Sequence, residues 1–130
     1  MANITVVDND QTNITSIKKL FAQKTHTLSF LSTAEELMTG LVKKQPDMII
    51  IGVDLKGGDG RELSRMLQTE SPYKNIPVIL TSPFYHTESE IRSFYCDDMV
   101  SMPFDETRLT VSVEILLAKE TAKAARLEKV

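Results

Sequence analysis

The stretch that decides the fold is PDMIIIGVDLKGGDG, residues 46 to 60, in which a mostly apolar run leads into a glycine-rich turn. Residues 48 to 53 are apolar at nearly every position, which is typical of a strand covered on both faces. Such strands occur in parallel sheets flanked by helices. The stretch therefore predicts an α/β domain with Gly52 near the carboxyl end of a strand, the edge at which such sheets bind ligands.

Length and composition limit the classes to which the protein can belong. A chain of 130 residues with 42% hydrophobic content predicts one domain with one core. The formal charge of -3 gives no electrostatic reason for direct binding to nucleic acid or to an anionic membrane. Cys96 is the single cysteine, and no signal peptide or bilayer-spanning apolar run is present in the sequence. We therefore expect a cytoplasmic protein without membrane insertion.

Short apolar runs alternate with helical patterns along the whole chain. The predicted strands cover residues 4–7, the region around 28–30, 48–53, 75–80 and 99–100, with helical patterns between them and a last helix from residue 105. Two helix starts carry capping-box pairs, Thr33 with Glu36 and Thr87 with Glu90. Five strands and five helices in strict alternation predict a doubly wound parallel sheet with helices on both faces.

The last helix changes character along its length. Leu109, Val113, Leu116 and Leu117 form an apolar stripe, whereas the residues from Lys119 onward keep helix propensity and lose most of that stripe. We expect a domain over residues 1–117 and a helical extension or linker over 118–130. The extension is either a solvated tail or a helix that pairs with another chain or domain.

The carboxyl ends of the predicted strands carry most of the polar residues of interest. Because these ends meet at one edge of the sheet, they define one candidate pocket. The residues at these ends are Asp8, Asn9, Asp10, Gly52, Asp54, Thr81, Ser82, Ser101 and Met102.

Four separated motifs, VVDND, PDMIIIGVDLKGGDG, IPVILTS and DDMVSMPFD, resemble those of the receiver domain of two-component response regulators. The resemblance covers residues 1–117 and implies a flavodoxin-like sheet of order 2-1-3-4-5. In that family an acidic pair after the first strand holds Mg²⁺, and an aspartate at the end of the third strand accepts a phosphoryl group. A Thr or Ser and a Lys then contact the phosphate, since the crowded phosphoryl oxygens need neutralisation.

The position of the phosphoacceptor carries a glycine in this sequence. In the family the acceptor lies six residues after the proline of a Pro-Asp pair and eight before the glycine that ends the turn. Counting from Pro46 and back from Gly60, both anchors fall on Gly52. The resemblance therefore implies that the nucleophile is missing and that the chain has no catalytic residue of the family type.

Two further positions depart from the family pattern. The lysine that precedes a proline is replaced in the pair Met102 and Pro103, and the acidic pair has become Asp8 and Asn9. An ammonium without its aspartate would be a poorly compensated charge. It would destabilise the fold on the order of several kcal/mol, as the loss of one partner from a buried ion pair does. Methionine instead supplies flexible apolar bulk. The three changes are therefore consistent with one another.

The metal site is expected to be weak or absent. A hard divalent cation prefers several oxygen ligands with negative charge among them, and Asp8 is the one charged residue that the acidic pair retains. We therefore expect no cofactor, with a set of Asp8, Asp10 and Asp54 as the alternative that would partly restore Mg²⁺ binding. Asp54 is also the alternative phosphoacceptor.

The hydroxyl position and the family's aromatic switch are less clear-cut in this sequence. Ser82 lies five residues after Pro77, as the family's Thr or Ser does, while Thr81 fits the local sequence ILT equally well. In the family an aromatic residue three positions before the lysine rotates as a switch, and its counterpart in this sequence is Met99. His26 and His86 have no triad or ligand pattern around them, so we interpret both as isolated surface histidines.

These inferences predict a degenerate receiver, or pseudo-receiver, that is not an enzyme and acts by phosphorylation-independent protein–protein interaction in a two-component pathway. The alternatives are an active receiver phosphorylated at Asp54 and a small-ligand sensor. We expect a protein partner and consider a homodimer through the last helix. By analogy with the family, the interaction face would contain Ile91, Phe94, Tyr95, Met99, Ser101 and Arg108.

Overall fold

The computed structural model describes residues 1–103 and 105–128. The helices are α1 (Gln11–Leu20), α2 (Ala34–Lys43), α3 (Gly60–Glu70), α4 (Glu88–Ser93) and α5 (Glu106–Glu128). The strands are β1 (Asn3–Val7), β2 (Thr27–Leu31), β3 (Met48–Gly52), β4 (Asp54–Leu55), β5 (Gly58–Asp59), β6 (Val78–Ser82) and β7 (Asp98–Ser101). The predicted alternation of strands and helices is confirmed.

The main sheet is parallel and has the strand order β2-β1-β3-β6-β7. With the short pair of β4 and β5 left out, this is the predicted order 2-1-3-4-5. Strand β3 is central and is buried at all five positions. It pairs with β1 on one side, where Ile4 lies opposite Met48, and with β6 on the other, where Gly52 lies opposite Thr81.

Two apolar cores cover the two faces of the sheet, because successive side chains of a strand point to opposite sides. Ile50 of β3 packs with Ile17 of α1 and Leu109 of α5 in one core. Ile49 and Ile51 belong to the other core, which α2, α3 and α4 cover. The continuous apolar run in the sequence therefore reflects burial on both faces.

Side-chain caps fix where several helices begin. Thr33 accepts a hydrogen bond from the backbone N–H of Glu36 at the start of α2. At the start of α4, Thr87 and Glu90 form the complete reciprocal capping box. The helix starts predicted from these two pairs are confirmed.

The turn after β3 is more structured than the sequence indicated. The stretch LKGGDG, residues 55–60, was predicted as a turn, but β4 and β5 pair antiparallel across it, with Asp54 opposite Asp59. Gly57 occupies the turn with a φ of 77°, a conformation that favours glycine. The N–H of Gly60 then donates to the carbonyl of Val53 at 2.9 Å, so α3 begins directly against the end of β3.

Helix α5 continues without a break to Glu128, within the predicted extension. Its residues 121–127 are all exposed, so the last turns extend beyond the body of the domain. The boundary at residue 117 stays a prediction, and residues 129–130 lie outside the described part. Within residues 1–103 and 105–128, no helix combines the length and the apolar character needed to cross a membrane.

Candidate functional site

A cleft of about 250 Å³ lies at the carboxyl ends of β1 and β3. It gathers many of the residues that the sequence placed at this edge. Its lining residues include Asp8, Asp10, Gly52, Asp54, Met102 and Pro103. The parallel register brings them together although they lie up to about 95 positions apart in the chain, as expected for the ligand-binding edge of such a sheet.

The carboxylate of Asp8 occupies the space beside Gly52. A Cβ atom added to Gly52 would lie 2.9 Å from Asp8 Oδ2 and 3.1 Å from Asp8 Oδ1, closer than side chains normally approach. A side chain at position 52 would therefore require the Asp8 carboxylate to move. In the present structure the buried Asp8 carboxylate lies against Gly52.

Asp8 is buried, with an exposed fraction of 3%. Its Oδ1 accepts from the N–H of Asp10 at 2.9 Å, and its Oδ2 accepts from Asn13 Nδ2 at 3.3 Å. Burial raises the pKa of Asp8 above its ordinary value, although these hydrogen bonds act in the opposite direction. The site thus favours a neutral carboxyl group more than an exposed site would.

Asp8→Asn is expected to increase the free energy of unfolding at pH 7 by about 1 kcal/mol. A carboxyl group with a raised pKa in the folded state stabilises the fold least when ionised, so its contribution falls as pH rises above the ordinary value of 3.8. The gain of the variant over the wild type should therefore widen between about pH 4 and pH 7. Urea unfolding at several pH values measures this difference in the free energy of unfolding. The exposed Asp54→Asn is the control and should change stability by no more than about 0.5 kcal/mol.

Asn9 is turned away from the cleft. Its Nδ2 donates to the carbonyl of Ser32 at 2.6 Å, and its Oδ1 accepts from the N–H of Lys56. These bonds connect the loop after β2 with the turn after β4. Both polar ends of the amide are thus used by the scaffold.

The remaining carboxylates fit a divalent cation poorly. Asp10 caps α1, and its Oδ1 accepts from the N–H groups of Thr12 and Asn13. Asp54 is exposed on β4. Over residues 1–103 and 105–128, no cluster of three or more His, Cys, Asp or Glu side chains is arranged to hold a metal ion. The absence of a cofactor stays a prediction.

Met102 fills the lysine position with buried apolar bulk. Its exposed fraction is 2%, and it belongs to the same core as Val100, Leu109 and Val113. The peptide bond between Met102 and Pro103 is cis. The side chain also lines the cleft, so the residue predicted to replace the family's lysine is part of the core.

The two candidate hydroxyls lie on opposite faces of the sheet. Thr81 is the register partner of Gly52 and follows Ile79 by two positions, so it faces the α1 and α5 side. Its Oγ1 is buried and has no hydrogen-bond partner in the described part of the chain. Ser82 faces the opposite side and bonds to His86. Of the two, Thr81 is the hydroxyl nearest the cleft.

Neither histidine is isolated, so that sequence interpretation is wrong. His26 Nε2 lies 2.7 Å from Glu114 Oε1, and the N–H of Ala2 donates to His26 Nδ1. The His86 side chain is 14% exposed and lies between Ser82 and Glu90. These partners belong to other elements or to a neighbouring turn, so no local triad spacing in the sequence could reveal them.

The predicted interaction face is partly buried. Ile91 and Phe94 are half-buried and Tyr95 is exposed, whereas Met99 and Ser101 are each 4% exposed. This corrects the prediction for Met99 and Ser101, which form the inner wall of a cleft of about 240 Å³ rather than protruding. Met99 belongs to the core on the α2, α3 and α4 side of the sheet, and Ser101 leaves the same face two positions on, which accounts for the difference.

Exposed aromatic side chains extend this face beyond the predicted residues. Phe84 and Tyr85, in the loop before α4, are 70% and 69% exposed. Arg108 of α5 borders the same cleft, and it donates to the carbonyl of Met99 and pairs with Asp98 at 2.8 Å. The surface formed by Phe84, Tyr85, Ile91, Phe94, Tyr95 and Arg108 is called the α4–α5 face below.

Comparison with solved structures places this architecture among receiver domains. The signal receiver domain of a signal transduction histidine kinase from Syntrophus aciditrophicus is 25% identical, with a TM-score of 0.79 and coverage of 92% of each chain. The receiver domain of a Francisella response regulator is 24% identical, with a TM-score of 0.80, and the match covers 92% of this chain and 99% of that one. The flavodoxin-like fold is thereby confirmed.

Sequence relatives agree with the structural ones. The sensory transduction protein BceR of Halalkalibacterium halodurans is 26% identical over 121 residues, which cover 92% of this chain and 51% of that protein. The probable transcriptional regulator ycf29 of Cyanophora paradoxa is 27% identical over 131 residues, 99% of this chain and 62% of that protein. This chain thus spans between about half and two thirds of the length of these relatives. The model of the response regulator receiver domain matches residues 4–114, and the chain belongs to this family of signalling modules.

Proposed function

We propose that this receiver domain has lost aspartyl phosphorylation and acts as a pseudo-receiver through protein–protein interaction in a two-component pathway. The observation that carries the proposal is the position of the Asp8 carboxylate, whose oxygens lie 2.9 and 3.1 Å from the place that a Cβ atom at Gly52 would occupy. Nucleophilic attack on phosphorus needs a free carboxylate at this edge and cations around the transferred group. Asp8 is buried and hydrogen-bonded, and Met102 supplies no charge.

The test is incubation with acetyl phosphate, or with beryllofluoride, in the presence of Mg²⁺. We expect no gain in mass from acetyl phosphate and no change in the amide NMR spectrum with beryllofluoride beyond that caused by Mg²⁺ alone. The matched variants are Asp54→Asn and Asp8→Asn. A stoichiometric phosphoryl adduct on the wild-type protein would refute the proposal, and its loss in one variant would identify the acceptor.

Asp54 is the runner-up phosphoacceptor. Its side chain is exposed and borders the cleft, so a phosphodonor could reach it. Among the residues that the structure describes, no lysine or arginine lines the cleft to hold the transferred group. Asp10, the other rim carboxylate, is committed to capping α1. The geometry therefore supports loss of the reaction better than displacement of the acceptor to Asp54.

A small-ligand sensor is the second alternative. The cleft of about 250 Å³ is large enough for a compact polar molecule, and the Oγ1 of Thr81, the register partner of Gly52, has no hydrogen-bond partner among the described residues. Native mass spectrometry of the freshly purified protein tests this alternative. A co-purified small molecule that is lost in Thr81→Val would favour the sensor over the pure interaction module.

The partner surface that we propose is the α4–α5 face. Its exposed aromatic rings and the adjoining cleft give it apolar area at a polar surface, as protein-binding patches commonly have. This choice also rests on the family analogy. We further propose a cytoplasmic location. We also propose that the protein makes no direct contact with nucleic acid, because the net charge of -3 offers no electrostatic attraction to phosphate backbones.

A homodimer through the last helix is a second proposed assembly. Val111 and Ile115 of α5 are 51% and 50% exposed and lie four positions apart, on one stripe of the helix. Ala118, Ala122 and Ala125 continue this stripe and are exposed as well. Packing of this stripe against the same stripe of a second copy would bury these exposed side chains. Sedimentation equilibrium distinguishes the dimer from a monomer, and Ile115→Glu should abolish the dimer.

A further inference from the structure

A cavity of about 320 Å³ lies between helix α2 and strands β1 and β2. Leu31 of β2 and the residues Leu37, Gly40 and Leu41 of α2 form its apolar wall. Its volume falls at the lower end of the range for small-molecule sites, about 300 to 1,000 Å³. Among the described residues, none lines both this cavity and the cleft at Gly52, so the two sites are separate. It is called the α2 cavity below.

The helix leaves this space open because it carries no side chain at Gly40. Leu37 and Leu41 lie one turn apart on the face of α2 that packs on the sheet, and they are 1% and 2% exposed. Gly40 follows Leu37 by three positions, on the same side of the helix. A Cβ atom added to Gly40 would meet no atom within 4 Å. The volume that a larger residue would occupy therefore belongs to the α2 cavity.

The floor of the α2 cavity is a polar patch at the edge of the sheet. Val7 of β1 belongs to the core on the α2 side, and Leu31 of β2 packs against that core. Because alternate side chains of a strand share a face, Thr5, Thr27 and Ser29 lie on the same side. Thr5 is the register partner of Ser29, so hydroxyl groups of neighbouring strands lie next to each other below α2.

These hydroxyl groups are not used by the fold. The side chains of Thr5, Thr27 and Ser29 form no hydrogen bond with any residue that the structure describes. Each hydroxyl can donate one hydrogen bond and accept others. The floor of the cavity therefore offers a row of donors and acceptors to a bound molecule, opposite a wall of leucine side chains.

The charge at the α2 cavity favours an anion. Lys44 is the one charged residue among the described residues that line it. Lys44 follows Gly40 by four positions and is exposed, and it forms no ion pair within the described part of the chain. With no carboxylate among these lining residues, a negative group at this end would be attracted to the lysine and repelled by none of them.

We propose that the α2 cavity binds a small carboxylic acid with an apolar body. The body packs against Leu31, Leu37 and Leu41. The carboxylate pairs with Lys44 and accepts hydrogen bonds from hydroxyl groups of the floor. A ligand of this kind matches each feature of the cavity: its size, its apolar wall, its free hydroxyls and its single positive charge. The site does not depend on whether the cleft at Gly52 can be phosphorylated.

The test is an NMR titration of the full chain with phenylacetate, which joins one apolar ring to one carboxylate. We expect the amide resonances of Thr5, Ser29, Gly40 and Lys44 to shift together, with a Kd of about 1 mM or below. Acetate lacks the apolar body and should cause no such shifts. Phenylacetamide, the neutral counterpart, should bind about two- to fivefold more weakly, because it cannot pair with the lysine. No saturable shift at these residues up to about 10 mM phenylacetate, or equal binding of acid and amide, would overturn the proposal.

A pair of lysine variants tests the charge. Lys44→Gln should weaken the binding of phenylacetate by about two- to fivefold, as expected for loss of an exposed ion pair, and should leave the binding of phenylacetamide unchanged. Lys43→Gln is the matched control, because Lys43 is an exposed lysine of the same helix that does not line the cavity. Equal effects of the two substitutions would mean that net charge, and not the α2 cavity, attracts the acid.

A pair of leucine variants tests the space. Gly40→Leu places a side chain in the α2 cavity and should remove the shifts caused by phenylacetate. Val42→Leu is the control, because Val42 is 78% exposed on the same helix and does not line the cavity. The amide spectrum without ligand shows whether each variant is folded. Undiminished binding to folded Gly40→Leu would place the acid elsewhere and refute the proposal.

Discussion

Gly60→Ala is expected to lower the free energy of unfolding by about 3 kcal/mol, the upper part of the usual range for overpacking. A Cβ atom at this position would lie 2.1 Å from the carbonyl oxygen of Gly52 and 2.9 Å from the Cα of Val53. Both neighbours are backbone atoms of the central strand or its immediate continuation, so no side-chain rotation relieves the clash. Helix α3 would have to move away from the end of β3.

Gly40→Ala is the matched control for this substitution. Gly40 lies within α2, and an added Cβ would meet no atom within 4 Å. The same chemical change should therefore raise stability by about 0.5 to 1 kcal/mol, because alanine favours the helix. Urea unfolding of both variants provides the comparison. Equal effects at positions 40 and 60 would contradict the close approach of α3 to β3.

Met102→Lys is expected to cost about 3 kcal/mol of unfolding free energy, because it places an ammonium in a site that is 2% exposed. The buried carboxylate that lines the same cleft belongs to Asp8, and both of its oxygens already accept hydrogen bonds. An ion pair of the lysine with Asp8 would have to compete with these hydrogen bonds and would leave two charges buried. Met102→Leu keeps the apolar volume and should cost less than about 1.5 kcal/mol.

Gly52→Asp supplies the missing partner and completes a double-mutant cycle with Met102→Lys. Alone, it forces the Asp8 carboxylate aside and puts two acidic groups together, so we expect it to destabilise the fold. Combined with Met102→Lys, it should recover about 1 to 2 kcal/mol relative to the sum of the two single effects. If the effects of the two single substitutions on the unfolding free energy simply add in the double variant, positions 52 and 102 are not coupled. That result would remove the electrostatic reason for finding glycine and methionine together at these positions.

Much of the fold could be predicted from local patterns. The apolar run from Met48 to Ile51 predicted a strand buried on both faces, and the pairs of Thr33 with Glu36 and Thr87 with Glu90 predicted two helix starts. Such signals are read correctly because side-chain period and capping depend on residues a few positions apart. The antiparallel pair of β4 and β5 was missed, since two-residue strands have no period to detect.

The candidate site was predicted as a set of positions and not as an arrangement of atoms. The sequence by itself determined that Gly52 and Met102 carry neither a carboxylate nor an amine, whatever the surrounding structure. It could not indicate that the Asp8 carboxylate would lie against Gly52, or that Asn9 would bond to Ser32 and Lys56. These outcomes depend on distances between separate strands and loops.

The α4–α5 face likewise has features that residue type predicted and features that only packing decided. Residue type identified its aromatic and apolar members, but Met99 and Ser101 point to the face of the sheet that α2, α3 and α4 cover, and packing there buried them. Tertiary structure likewise brought His86 between Ser82 and Glu90 and left Ser101 Oγ without a partner in the described chain. Sequence determines which chemical groups are present and their period along each element. Only the packing of the elements decides which groups meet, because hydrogen bonds and burial depend on separations in space.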